Sequence, residues 1–135
     1  MIIYIASSWK NQHAVEMLTA LLRKEGHKVL SFVENNYGEG AGAEKPIGLE
    51  DWMKTEKAEN SFRYDTSGAS CSDLVIYISP SGTDAWAEIG IAYAHGILIY
   101  GLYAKGEQAG LMRKMVTRWF DRYTDLLDAI DEEAR

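Results

Sequence analysis

The chain has 135 residues, 47% of them hydrophobic and 25% charged, and a formal net charge of −6. That length suits one domain, 1–135, with a single ordinary core, and the acidic balance argues against a binder of nucleic-acid polymers, which needs a basic face. No apolar run reaches the roughly 18 residues of a membrane span, and with Cys71 the only cysteine disulfides and Cys-rich metal sites drop out.

Met1 leads straight into a strand pattern over 2–6 with no signal peptide before it, so a cytoplasmic protein is expected. The segment 11–25 follows the helical period through Ala14, Val15, Leu18, Leu21 and Leu22, and Gly26 stops it as a cap glycine would. A second strand is expected over 29–33. The stretch 35–48, glycine-rich and carrying Pro46, reads as a loop. A helix over 49–62 follows, with Trp52 and Met53 as its inward contacts. The third strand is 74–79. The helix 84–95 then packs Ala85, Ile89, Ala92 and Tyr93 and ends at Gly96. A fourth strand over 97–103, a short helix near 108–114 and a fifth strand or extended segment around 116–120 come next. The tail 124–133 is amphipathic through Leu126, Leu127 and Ile130.

Strand runs without polar alternation belong to parallel sheets covered on both faces. Strands alternating with helices predict a three-layer α/β/α fold, Rossmann-like or flavodoxin-like, with five parallel strands in the order 2-1-3-4-5.

The most informative segment is Ser79-Pro80-Ser81-Gly82-Thr83-Asp84-Ala85-Trp86-Ala87-Glu88-Ile89-Gly90. A strand runs through a tight turn of small residues into a helix, which puts Glu88 above the C-terminal strand edge where open sheets bind ligands. The helix dipole favours an ionised carboxylate there, with or without a function, and an ionised carboxylate over a cleft suits a nucleophile. Asp84, one turn earlier on the same face, is a candidate N-cap. Asp65 follows Phe62-Arg63-Tyr64 on the approach to the same edge, whereas Asp73 abuts the third strand and reads as a local cap. At the first strand's exit, Ser7, Ser8, Trp9, Lys10 and Asn11 can hold an anion through hydroxyls and amides or simply cap the next helix. Trp9, Tyr37 and Trp86 are candidates to stack on a planar base. His13, His27 and His95 lie too far apart to suggest a metal site, and no Ser-His-Asp or Cys-His arrangement stands out.

The opening Ile-Tyr-Ile-Ala-Ser-Ser-Trp-Lys-Asn, the pair Phe62 and Asp65, the segment from Pro80 to Gly90, and Leu111-Met-Arg-Lys-Met115 with Leu126-Leu127 share a likeness. Over nearly its whole length the chain resembles the nucleoside 2-deoxyribosyltransferase superfamily, which includes the 2'-deoxynucleoside 5'-phosphate N-glycosidases. The resemblance implies that Glu88 attacks C1' of the sugar, Asp65 assists proton delivery to the base, and Tyr4 positions Glu88. It places Ser8 and Lys10 where nucleotide-using members hold a 5'-phosphate. The family's phosphate serine before the glutamate falls on Ser79 or Ser81, with Gly82 between the alignment choices. Ser7, Trp9 and Asp84 complete the expected substrate-binding set. The resemblance also implies a small-molecule nucleoside or nucleotide partner, no cofactor or metal, and a homodimer or larger homo-oligomer. A catalytically silent nucleotide-binding module is the alternative. A flavodoxin-like electron carrier is disfavoured because no FMN phosphate loop is evident.

Overall fold

A computed structural model describes residues 1–35 and 48–135. The expected loop 35–48, apart from its two ends, and Tyr37 within it lie outside the described residues. Among those described, strands β1 (Ile2–Ala6), β2 (Lys28–Ser31), β3 (Leu74–Ile78), β4 (Leu98–Leu102) and β5 (Arg118–Phe120) form one parallel sheet in the order β2-β1-β3-β4-β5. The helices are α1 (Gln12–Lys24), α2 (Phe32–Asn35), α3 (Leu49–Met53), α4 (Glu56–Cys71), α5 (Thr83–Ala94) and α6 (Tyr123–Ala134).

Successive strand residues point to opposite faces, so each strand feeds two cores. On one face Ile3, Ile5, Val29, Leu74 and Ile76 pack with Val15, Leu18 and Leu22 of α1 and Leu126 and Ile130 of α6. On the other, Tyr4, Ala6, Val75, Tyr77 and Ile99 pack with Ala69 of α4 and Ala85, Ile89 and Ala92 of α5. The expected three layers are the result. Each fully buried aliphatic side chain contributes ~1.5–3 kcal/mol relative to exposure, and β3 buries all five of its residues.

Both predicted glycine stops are real. Gly26 (φ 94°) and Gly96 (φ 70°) adopt the left-handed conformation that closes α1 and α5. Each allows paired backbone bonds, Gly26 N to Arg23 O with His27 N to Leu22 O, and Gly96 N to Tyr93 O with Ile97 N to Ala92 O. Asp73 has the expected structural role, accepting from Ile2 N at 2.7 Å.

Other expectations need correction. The single helix over 49–62 is two helices, because Thr55 breaks the chain and caps α4 by accepting from Ala58 N at 3.1 Å. Helix α4 then runs on to Cys71, so Asp65 sits inside a helix rather than in a connection. Trp52 and Met53 are exposed, 46% and 52%, instead of inward. The second strand ends at Ser31, where Phe32 and Val33 turn into α2. Tyr93 is exposed rather than packed, Gly82 rather than Asp84 is the N-cap of α5, and the helix near 108–114 is a 3-10 turn, Leu111–Met115. No helix among the described residues is long and apolar enough to cross a membrane.

Candidate active site

Tyr4 rises from the middle of β1 into the face covered by α4 and α5. Helix α4 crosses directly above it at Gly68, where an added Cβ would lie 2.3 Å from the Tyr4 ring. This close approach brings the third turn of α4, with Asp65, beside α5. The buried Tyr4 hydroxyl donates to Glu88 Oε1 at 2.6 Å. Asp65 and Glu88 therefore converge on one phenol from two different helices. Asp65 Oδ1 is buried and has no hydrogen-bond partner, a state that costs about 1–3 kcal/mol unless a ligand satisfies it.

The electrostatics differ from the sequence expectation. Burial, added to by the Asp65 and Asp84 charges and opposed by the Tyr4 hydrogen bond, pushes Glu88 up to about 8. Burial and the Asp84 charge, opposed by Tyr4, raise Asp65 to about 6. Burial and then the two carboxylates hold the Tyr4 phenol well above its ordinary value. Glu88 was expected to be ionised by the helix dipole. Instead it lies in the second turn of α5, where the dipole has faded and desolvation dominates. At neutral pH the substrate-free pair therefore holds about one proton between its two members.

These groups face a cleft of about 470 Å³ walled by Trp9, Phe32, Trp52 and Phe62, with Asp65, Asp84 and Glu88 along one side and Lys57, Ser61 and Thr66 nearby. That volume and its aromatic lining are ordinary for a small-molecule site. A slightly larger hollow of about 530 Å³, between α4 and the start of β1 and β2, contains Lys28, Arg63 and Tyr64 but neither Asp65 nor Glu88. Converging carboxylates outweigh size, and the smaller cleft is the candidate site.

Of the expected residues, the cleft gathers Trp9, Asp65, Asp84 and Glu88, with Tyr4 beneath. The serines are largely committed elsewhere. Ser7 Oγ donates to Ile78 O at 2.8 Å and accepts from Asn11 Nδ2, which also donates to Pro80 O. These bonds tie the exit of β1 to that of β3. Ser8 caps the following 3-10 turn by accepting from Lys10 N, and Lys10 is exposed. Ser79 Oγ accepts from Ala104 N, and Ser81 Oγ bonds the Tyr77 hydroxyl at 2.8 Å. Trp86 turns away from the cleft to reach Tyr77. Phe32, Trp52 and Phe62 are cleft residues that sequence reasoning missed. An exposed aromatic on a short helix looks the same in sequence as a core contact. Among the described residues no group of acids, histidines and cysteine is placed to hold a metal ion.

By sequence, no protein-family profile and no curated protein matches the chain. Solved structures do. A 2-deoxyribosyltransferase from the psychrotolerant bacterium Bacillus psychrosaccharolyticus matches with TM-score 0.67 at 22% identity, over 93% of this chain and 90% of its own. The Clostridium botulinum CMP N-glycosidase matches with TM-score 0.59 at 20% identity, over 97% and 98%. A conserved protein from Enterococcus faecalis matches with TM-score 0.64 at 20% identity, over 98% of each chain. The chain thus has, over almost its whole length, the fold of a 2-deoxyribosyltransferase and a CMP N-glycosidase.

Proposed function

We propose that this protein cleaves or transfers the N-glycosidic bond of a nucleoside or nucleoside 5'-monophosphate. The observation that carries the reading is the Tyr4–Glu88 hydrogen bond with Asp65 beside it, opening onto an aromatic-walled cleft. The shared fold with a 2-deoxyribosyltransferase and a CMP N-glycosidase supports it.

In this reading the base lies against the aromatic wall and the sugar over Glu88. The ionised Glu88 carboxylate forms a bond to C1' as the C1'–N bond breaks. The electron pair of that bond leaves with the base, and Asp65 supplies the base with a proton. Water or a second base then takes the sugar from Glu88. The reactive arrangement has the shared proton on Asp65 and the charge on Glu88. Positive charge growing at C1' favours an ionised Glu88, and the Tyr4 hydroxyl, which interacts with both carboxylates, steadies that anion. For a 5'-phosphate, Ser8 and Lys10 are the candidates by the family resemblance, flanking the cleft residue Trp9 in sequence, with Lys10 exposed and its charge available.

Base release measured by chromatography tests the reading. The substrates are ribo- and deoxyribonucleosides and their 5'-monophosphates, each with and without a second free base, beside Glu88→Gln. Free base that depends on Glu88 is expected, and a new nucleoside in the mixed samples identifies a transferase. Tight binding without turnover across the panel would overturn the catalytic reading in favour of a binding module.

A further inference from the structure

A second tyrosine rises from the same sheet face. Tyr77 of β3, paired in register with Ala6, lies on the far side of α5 from the cleft. Its hydroxyl accepts from Trp86 Nε1 at 3.0 Å, bonds Ser81 Oγ and donates to Glu107 Oε1. Arg113 donates to Glu107 Oε2 through Nε at 3.0 Å and Nη2 at 2.8 Å. The same guanidinium lies 4.3 Å from the Trp86 ring centroid. The Glu107 side chain is 5% exposed, with both carboxylate oxygens bonded. The network ties the start of α5 to β3 and to the segment joining β4 to β5.

Helix α5 needs such ties. Its buried contacts are Ala85, Ile89 and Ala92, and two of these three are methyl-sized, so packing opposes rotation about the helix axis only weakly. Residues two apart on a helix point about 200° apart, which sends Trp86 to one flank of α5 and Glu88 to the other. One tyrosine hydroxyl grips each flank, Tyr77 at Trp86 and Tyr4 at Glu88. A roll of the helix that kept one bond would break the other.

We propose that Trp86, Glu107 and Arg113 are positioning residues for Glu88, fixing the rotation of α5 so that the carboxylate stays against Tyr4 and in the cleft. This rests on the proposed role of Glu88. The same network, because it lies behind the helix and never meets the cleft, acts on the reaction only through α5.

The test uses Trp86→Phe, which keeps a ring but loses the N–H donor, and Arg113→Met, which leaves Glu107 Oε2 unpaired. The Glu88 side chain is titrated by carbon NMR, its signal identified by its loss in Glu88→Gln, and kcat and KM are measured for base release. Both variants should shift the Glu88 midpoint away from its wild-type value, since its burial and its Tyr4 bond both depend on the rotation of α5. Both should lower kcat about tenfold, since small misplacements of a reacting group are costly, with KM within about twofold. Ile130→Val, on the opposite sheet face, should leave the midpoint and kcat at wild-type values. If the two variants lose thermal stability while Glu88 titration and kcat stay at wild type, the network is structural only and the proposal fails. The titration needs no substrate, so it decides the positioning role even if the wild-type protein releases no base and the proposed function falls.

Discussion

The two tyrosine clusters on either side of α5 use the same parts to opposite ends. Around Tyr77, a nearly buried carboxylate receives a phenol and two guanidinium donors, and a tryptophan covers the cation. Around Tyr4, two half-buried carboxylates share one phenol, a third acid lies nearby, and one carboxylate oxygen has no partner. The first cluster is electrically complete and holds a loop in place. The second is incomplete: among the described residues no cation bonds Glu88 or Asp65, and both are raised by burial. Unsatisfied buried polar groups are expensive, and keeping them at the mouth of a cleft is what the proposed function calls for.

That contrast can be broken by mutation, and Glu88→Gln should break it most. It keeps the fold and the Tyr4 hydrogen bond but removes the proposed nucleophile, and base release should fall by at least about 10³-fold, as for other nucleophile deletions. Asp65→Asn should cost about 10²–10⁴-fold, the usual worth of a general acid. In the wild type, activity should follow a bell in pH with limbs near 6 and 8, the values to which Asp65 and Glu88 are raised. Below the lower limb both carboxyls are protonated, above the upper limb neither is, and only between them do they share one proton. A profile flat from pH 5 to 9 would contradict this.

Stability separates the clusters further. The Glu88 carboxyl is raised above its ordinary 4.5 to about 8, so the folded state holds this proton more tightly than the unfolded chain. The linked stability is complete below pH 4.5 and is lost as pH rises through 8. Glu88→Gln, which cannot ionise, should therefore be more stable than wild type by up to about 5 kcal/mol at pH 9, with the gain shrinking to below about 1 kcal/mol near pH 5 in thermal melts. Arg113→Met should act in the other direction, destabilising by about 2 kcal/mol through the unpaired Glu107. The smallest effect belongs to Arg63→Ala. The Arg63–Glu59 pair is exposed, 67% and 58%, and surface pairs one helical turn apart are worth about 0.3–0.5 kcal/mol, so its melting point should barely change.

Much of the molecule was legible because it rests on local rules. Uninterrupted apolar runs identify doubly covered strands, and Gly26 and Gly96 mark helix ends that only a positive φ can close. Glu88 stood out because a turn of small residues precedes its helix. Asp65 was marked by its place on the approach to the same sheet edge, where a plain surface acid was an equal reading, and the likeness to a known family tipped the balance. The errors share a cause. Trp52 and Met53 have the spacing of core contacts, but the break at Thr55 turns them outward. Ser7 and Ser81 stay candidates, but the partners their hydroxyls find, Ile78 O and Tyr77, were equally beyond the reach of spacing. Periodicity gives an element and its apolar positions, not the partner each polar atom finds.

The sequence by itself determined the strands, the helix ends and Glu88 as a candidate, because periodicity, glycine placement and turn chemistry act over a few neighbouring residues, while strand order followed from the alternation of strands and helices and Asp65 owed much to the family likeness. Only the tertiary structure decided where the protons rest. Glu88 was expected to be ionised at a helix N-terminus and is instead raised to about 8, since desolvation depends on what α4 and β1 bring against it. It also decided that Glu107 bonds Arg113 and Tyr77, whereas Glu88 is bonded, among the described residues, by Tyr4 and faces the charges of Asp65 and Asp84. Two glutamates of identical chemistry differ in surroundings because the charge on a side chain is local, whereas the water and countercharge around it are set by contacts across the whole chain.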